Sequence, residues 1–101
     1  MGAYTVPAGH VGVYAKALVA STVDTVTFTA TDVAAVTIIT DGAAAIYVTF
    51  DGTTPTVAGT ATWLVPATAG RYSFAPHTAG ATVVKLISSG TPTYSCARAA
   101  V

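Results

Sequence analysis

The side chains able to do acid–base, nucleophilic or metal chemistry are few in this chain. They are His10, His77, Cys96, the aspartates Asp24, Asp32, Asp41 and Asp51, and some serines, with no Glu at all. Metal ligation or general-base catalysis needs such groups brought together by the fold. Both histidines instead sit in Gly- or Pro-containing stretches, where a solvated turn histidine is the simpler reading. Ser73, Ser88, Ser89, Ser95 and Cys96 offer nucleophilic atoms, but none lies in a nucleophile elbow or a related signature. No recognisable carboxylate pair for glycoside hydrolysis is present. Asp41-Gly42 and Asp51-Gly52 each set one carboxylate before a glycine, which turn chemistry alone requires. A calcium loop gathers several oxygen ligands within about a dozen residues. Cys96, being single, makes neither an internal disulfide nor a zinc pattern and reads as a small buried hydrophobe. The expectation is a non-enzymatic protein with no catalytic, cofactor-binding or metal-binding residues.

Two arrangements of uncharged residues invite a binding role. Thr25, Thr27, Thr29 and Thr31 form a Thr-x-Thr row on one strand face, which would order water only if neighbouring strands repeated it. Trp63, Tyr47, Tyr72, Phe74 and Tyr94 supply rings that a sugar-binding groove would use, although Phe28, Phe50 and Phe74 are expected as core anchors. Tyr47 is phased outward and reads as an interface contact, because interface cores are rich in Tyr and poor in charge.

Positioning these residues falls to short strands. Val, Thr and Ile recur in brief runs punctuated by Gly and Pro about every ten residues, the pattern of an all-β domain, and no segment keeps a helical period. About eight strands are expected, at residues 11–19, 25–30, 35–40, 45–50, 60–65, 71–74, 82–87 and 93–96. In the second, Val26, Phe28 and Ala30 share one face; in the fourth, Ile46, Val48 and Phe50 point inward and Tyr47 and Thr49 outward. Asp41-Gly42 is expected to turn a hairpin, and the last two strands to pair across residues 88–92. The loop starting at Asp51 runs to about Gly59, and further turns are expected at residues 66–70 and 76–80. The fold class that follows is an antiparallel β-sandwich of about eight strands, with the jelly roll as one form it can take. Residues 1–10 read as an extended N-terminal arm outside the sheet, and residues 11–101 as one β-sandwich domain.

Charge is scarce: 8% of residues are charged, against about 25% in an ordinary soluble domain. Asn and Gln are missing, and mean hydropathy is +0.65. The surface must therefore be built mostly of Ala, Thr, Ser and Gly, which suits burial against other subunits. The aspartates are expected in or beside turns, leaving the strand faces bare of charge. With a formal net charge of zero and no basic stripe, nucleic acid is not an expected partner. Nothing reads as a membrane span, a signal peptide or a myristoylation site, so synthesis and folding in a cytoplasm are expected.

Two stretches carry a resemblance: Asp41-Gly-Ala-Ala-Ala-Ile-Tyr-Val-Thr-Phe-Asp-Gly-Thr-Thr-Pro-Thr-Val-Ala-Gly59 and Thr82-Val-Val-Lys-Leu-Ile-Ser-Ser-Gly-Thr-Pro-Thr-Tyr-Ser95. Over roughly residues 35–95 the chain resembles small β-sandwich virion proteins encoded in the structural modules of tailed phages of actinobacteria, among them head decoration (cement) proteins. That resemblance implies a protein bound to the capsid exterior that bridges capsomers, with the major capsid protein and copies of itself as partners. It favours a trimer, without nucleic acid, membrane or cofactor. Tyr4, Val6 and Pro7 of the arm, with Tyr47, Trp63 and Arg71, are the expected interface residues. A tail- or fibre-associated domain contacting the host surface, or a small carbohydrate-binding module, are the alternatives.

Overall fold

A computed structural model describes residues 2–7, 10–29, 33–50, 52–57, 59, 62–74 and 82–100. Ala30, Thr31, Asp32, Asp51, His77 and the turn expected at residues 76–80 lie outside them.

The protein is an all-β sandwich. The described residues form strands β1 (Ala3–Val6), β2 (Gly12–Ala17), β3 (Asp24–Phe28), β4 (Val33–Thr40), β5 (Ile46–Thr49), β6 (Trp63–Val65), β7 (Arg71–Phe74), β8 (Thr82–Ile87) and β9 (Thr93–Ala100), with one 3-10 turn at Ala67–Ala69. One sheet runs β1-β3-β8-β5-β6 and the other β2-β9-β4-β7. Antiparallel pairs join the second strand to the ninth, the third to the eighth, the fourth to the seventh and the fifth to the sixth. Such nested pairing is one long hairpin rolled into two sheets, which is the jelly roll.

The structure corrects four expectations. Asp41-Gly42 does not turn a hairpin, because β4 and β5 belong to different sheets, and the same holds for β8 and β9. Stacked sheets lie about 10 Å apart, and a five-residue connection spans that gap, whereas a two-residue turn joins only neighbours about 4.8 Å apart. Residues 3–6 are not a free arm: β1 pairs in parallel with β3, Thr25 donates its backbone N–H to the Gly2 carbonyl, and Thr29 donates to that of Val6. The cause is hydrophobic, since Val6 finds a place in the core at 2% exposure. Nor do all the aspartates sit at turns, for Asp24 is buried within β3.

Alternation decides the core. Val26 and Phe28 of β3, Ile46 and Val48 of β5, Val84 and Leu86 of β8, Val36 and Ile38 of β4, and Tyr94 and Cys96 of β9 all face inward and are buried. Each large side chain so buried contributes roughly 1.5–3 kcal/mol. Thr49 keeps its outward phase yet is buried, because its hydroxyl donates to the Thr53 carbonyl of the following loop at 2.6 Å. Asp41 does perform turn chemistry: its Oδ1 accepts the Ala43 N–H at 3.0 Å, and Gly42 adopts φ +82°.

Candidate interaction surface

The two sheets close their long sides differently. On one side the edge strands are β1 and β2, on the other β6 and β7. Across the first side Lys16 Nζ lies 4.9 Å from the centre of the Tyr4 ring, a cation–π contact that bridges the two lips. Tyr4 is half-buried there against the core.

The second side is a mouth lined with rings. Register puts Trp63 opposite Val48, Tyr72 opposite Ile38 and Phe74 opposite Val36, so all three share the inward phase of core residues. Because β6 and β7 are edges, those rings reach solvent instead: Trp63 is 61% exposed, Tyr72 44%, and Phe74 half-buried. Phe74 ties the group together. Its ring centroid lies 4.7 Å from that of Tyr72, 4.8 Å from that of buried Phe50 and 6.1 Å from that of Trp63, spacings typical of favourable aromatic pairs. Phe74 thus packs against the core as expected, but only half-buried, as the floor of the mouth. Leu64 of β6 and Ile39 of β4 are further exposed apolar side chains, each phased to the outer face of its own sheet.

The other expected interface residues are scattered. Pro7 and Arg71 are exposed, and Tyr47 is half-buried on the outer face of its sheet. Val6 is withdrawn from the surface by the core, which corrects its place among interface residues. Sequence reasoning did not single out Val11, Tyr14 and Val19, each more than half exposed along the segment carrying β2. Their signal was a run of apolar residues longer than the strand that uses it.

Groups with chemical potential are engaged locally. Asp24 joins the two sheets: its Oδ1 accepts the Gly2 N–H at 2.8 Å, and its Oδ2 accepts the Tyr94 hydroxyl at 3.0 Å. Burial, and then the Asp24 charge, hold the Tyr94 phenol far above its usual range. Cys96 is buried, and that burial pushes its thiol up to about 12, which leaves a poor nucleophile. His10 is exposed, and its carbonyl accepts a bond from Arg98 Nε at 2.8 Å. Among the described residues no three of His, Cys, Asp and Glu come together as a metal site would require. Thr5 stands beside Thr27, but the next strand in line brings Val83 and Lys85, so the threonine row does not spread across the sheet.

No family model and no curated sequence matches the chain. Among solved structures it is similar to PliG of Aeromonas hydrophila, a periplasmic lysozyme inhibitor of g-type lysozyme. The match covers 97% of this chain and 96% of that one at 18% identity, with a TM-score of 0.48. At that level the likeness says nothing about what this chain does.

Proposed function

We propose that this chain is a non-enzymatic structural subunit of a phage virion, which binds the outer surface of the capsid and stabilises it by bridging capsomers. Its partners are the major capsid protein and copies of itself. The observation that carries the reading is the kind of surface the sandwich presents. Eight large hydrophobic side chains among the described residues are between 38% and 62% exposed, on a chain with only eight charged residues. Apolar residues gathered along the β2 segment and beside β6 and β7, on a chain this poor in charge, suit a surface that meets other protein. The jelly roll also serves in viral capsid proteins, an analogy of fold alone. The test is co-sedimentation of the purified chain with phage heads that lack it, followed by heat and osmotic challenge of the heads. Stoichiometric binding with raised head stability is expected; free chain and unchanged heads would sink the proposal.

A second reading rests on the Trp63–Phe74–Tyr72 mouth, whose rings could stack on sugar faces. A glycan array with hits that vanish in Trp63→Ala would favour that carbohydrate-binding role over the capsid role. Label on the tail tip in immuno-electron microscopy would instead move the chain to a tail or fibre.

A further inference from the structure

We propose that β7 is the edge through which two copies of this chain pair antiparallel, making one continuous sheet from the four-stranded sheet of each. The inference rests on reading the chain as an assembly subunit and names the surface it uses on itself.

A free strand edge presents unpaired backbone N–H and C=O groups, and proteins usually blunt such edges by brevity, proline, bulges or charge. Among the described residues, three of the four edges stop at a proline or are broken by a bulge. Strand β6 has three residues and meets Pro66. Strand β1 has four and meets Pro7. Strand β2 breaks register between Val13 and Lys16, where Ala15 takes φ +52° and gives its N–H to Ser95 Oγ at 3.0 Å. Strand β7, as short as β1 and with one charged side chain in Arg71, has neither bulge nor proline within it, keeps regular register with β4 throughout, and exposes Arg71, Tyr72 and Ser73.

The groups on offer follow from the ladder. Thr40 donates its N–H to the Gly70 carbonyl at 2.8 Å, one step beyond the Ile39–Arg71 pair. Hydrogen-bonded and non-bonded pairs alternate along an antiparallel ladder. Tyr72 and Phe74 therefore bond to β4, while the backbone N–H and C=O of Arg71 and Ser73 point to the free edge.

A second copy of β7 fits that edge. With the two-fold axis at Tyr72, Arg71 of one copy faces Ser73 of the other, and each such pair exchanges both backbone bonds. The two Arg71 side chains are then diagonal neighbours rather than directly opposed, about 7–8 Å apart at Cα, and can splay away from one another. Tyr72 then meets Tyr72 of the second copy as a non-bonded pair, with Cα atoms about 4.5 Å apart. That contact covers a ring now 44% exposed, beside Trp63 at 61%.

Sedimentation velocity of the purified chain should show a dimer. Tyr72→Cys should form a disulfide-linked dimer on mild oxidation, read on a non-reducing gel, because the native Cys96 is buried. Ser73→Pro removes one N–H from the free edge and none from the β4 backbone ladder, and loses besides only the exposed hydroxyl–hydroxyl bond to Thr37, so it should sediment as a monomer with only a small fall in its thermal midpoint. A wild-type monomer at every concentration, a Tyr72→Cys chain that stays uncrosslinked, or a dimeric Ser73→Pro would each overturn the proposal. Head binding is scored separately. A dimer that ignores heads sinks the capsid reading and keeps this one, and a monomer that binds heads does the reverse.

Discussion

Replacing Asp24 tests how the two sheets are held in register. Its carboxylate is 2% exposed and accepts from Gly2 at the start of β1 and from Tyr94 in the opposite sheet, itself 1% exposed. Hydrogen bonds to a charged group are each worth about 1.5–3 kcal/mol, and a buried polar group left alone costs about 1–3 kcal/mol. Tyr94→Phe removes one donor and leaves the carboxylate its Gly2 bond, so a loss of about 2 kcal/mol is expected. Asp24→Ala strands the Tyr94 hydroxyl and frees Gly2, so about 3–5 kcal/mol should go, a large part of the roughly 5–15 kcal/mol that holds a domain of this length. The double variant strands no hydroxyl, and should therefore cost about 1.5–3 kcal/mol less than the sum of the two single losses. Urea denaturation followed by circular dichroism on all four proteins reads the cycle directly. Additivity within about 0.5 kcal/mol would mean that the two groups do not couple, and would refute the role assigned to this bond.

Three further outcomes follow from the geometry. Gly12→Ala should cost about 2–3 kcal/mol, because an added Cβ would run into the Cys96 carbonyl and come within 2.7 Å of the Ala97 Cα across the β2–β9 pair. Gly52→Ala, with nothing within 4 Å but φ +83°, should cost only about 1 kcal/mol, and urea midpoints that reverse this order would contradict the packing. Ala15→Gly should stabilise the protein by about 0.5–1 kcal/mol, since an L-residue at φ +52° pays a penalty that glycine does not; a lower thermal midpoint would count against the bulge as described. Stability should fall with alkali. The folded chain keeps the Cys96 proton that the unfolded chain releases above pH 9.0, so each pH unit from there towards about 12 removes about 1.4 kcal/mol. Tyr94 adds to the loss at higher pH, because its folded value is also raised. Cys96→Ala should show a shallower decline between pH 9 and 11 than wild type, and parallel declines would refute the assignment.

What could be read from residues alone was the local part of the fold. Strict alternation at Thr25–Phe28 and Ile46–Val48 gave the inward faces correctly, because side-chain phase depends only on chain neighbours. Bounds at 71–74 and 82–87 matched because Gly or Pro punctuates the chain near them. Pairing was less legible. Asp41-Gly42 has the same composition whether it closes a hairpin or crosses between sheets, and only the length of the connection separates the two. The place of β1 was hidden because its four residues owe their position to Val6 and to Asp24, more than twenty residues along the chain. The aromatic mouth was half visible. Trp63 and Tyr72 stood out by type, but only strand order reveals that both lie on edges and so come together at one side of the sandwich.

The central claim proposed here is that this charge-poor sandwich works as a subunit among other protein on a phage head. A cryo-electron reconstruction of the intact particle with this chain located tests it most directly. The account predicts density for the sandwich on the capsid exterior, contacting adjoining capsomers, with exposed apolar residues such as Trp63, Leu64 and Tyr14 covered by capsid protein or by another copy. A particle whose capsid carries no such density, or one that holds the chain only at the tail, would contradict it.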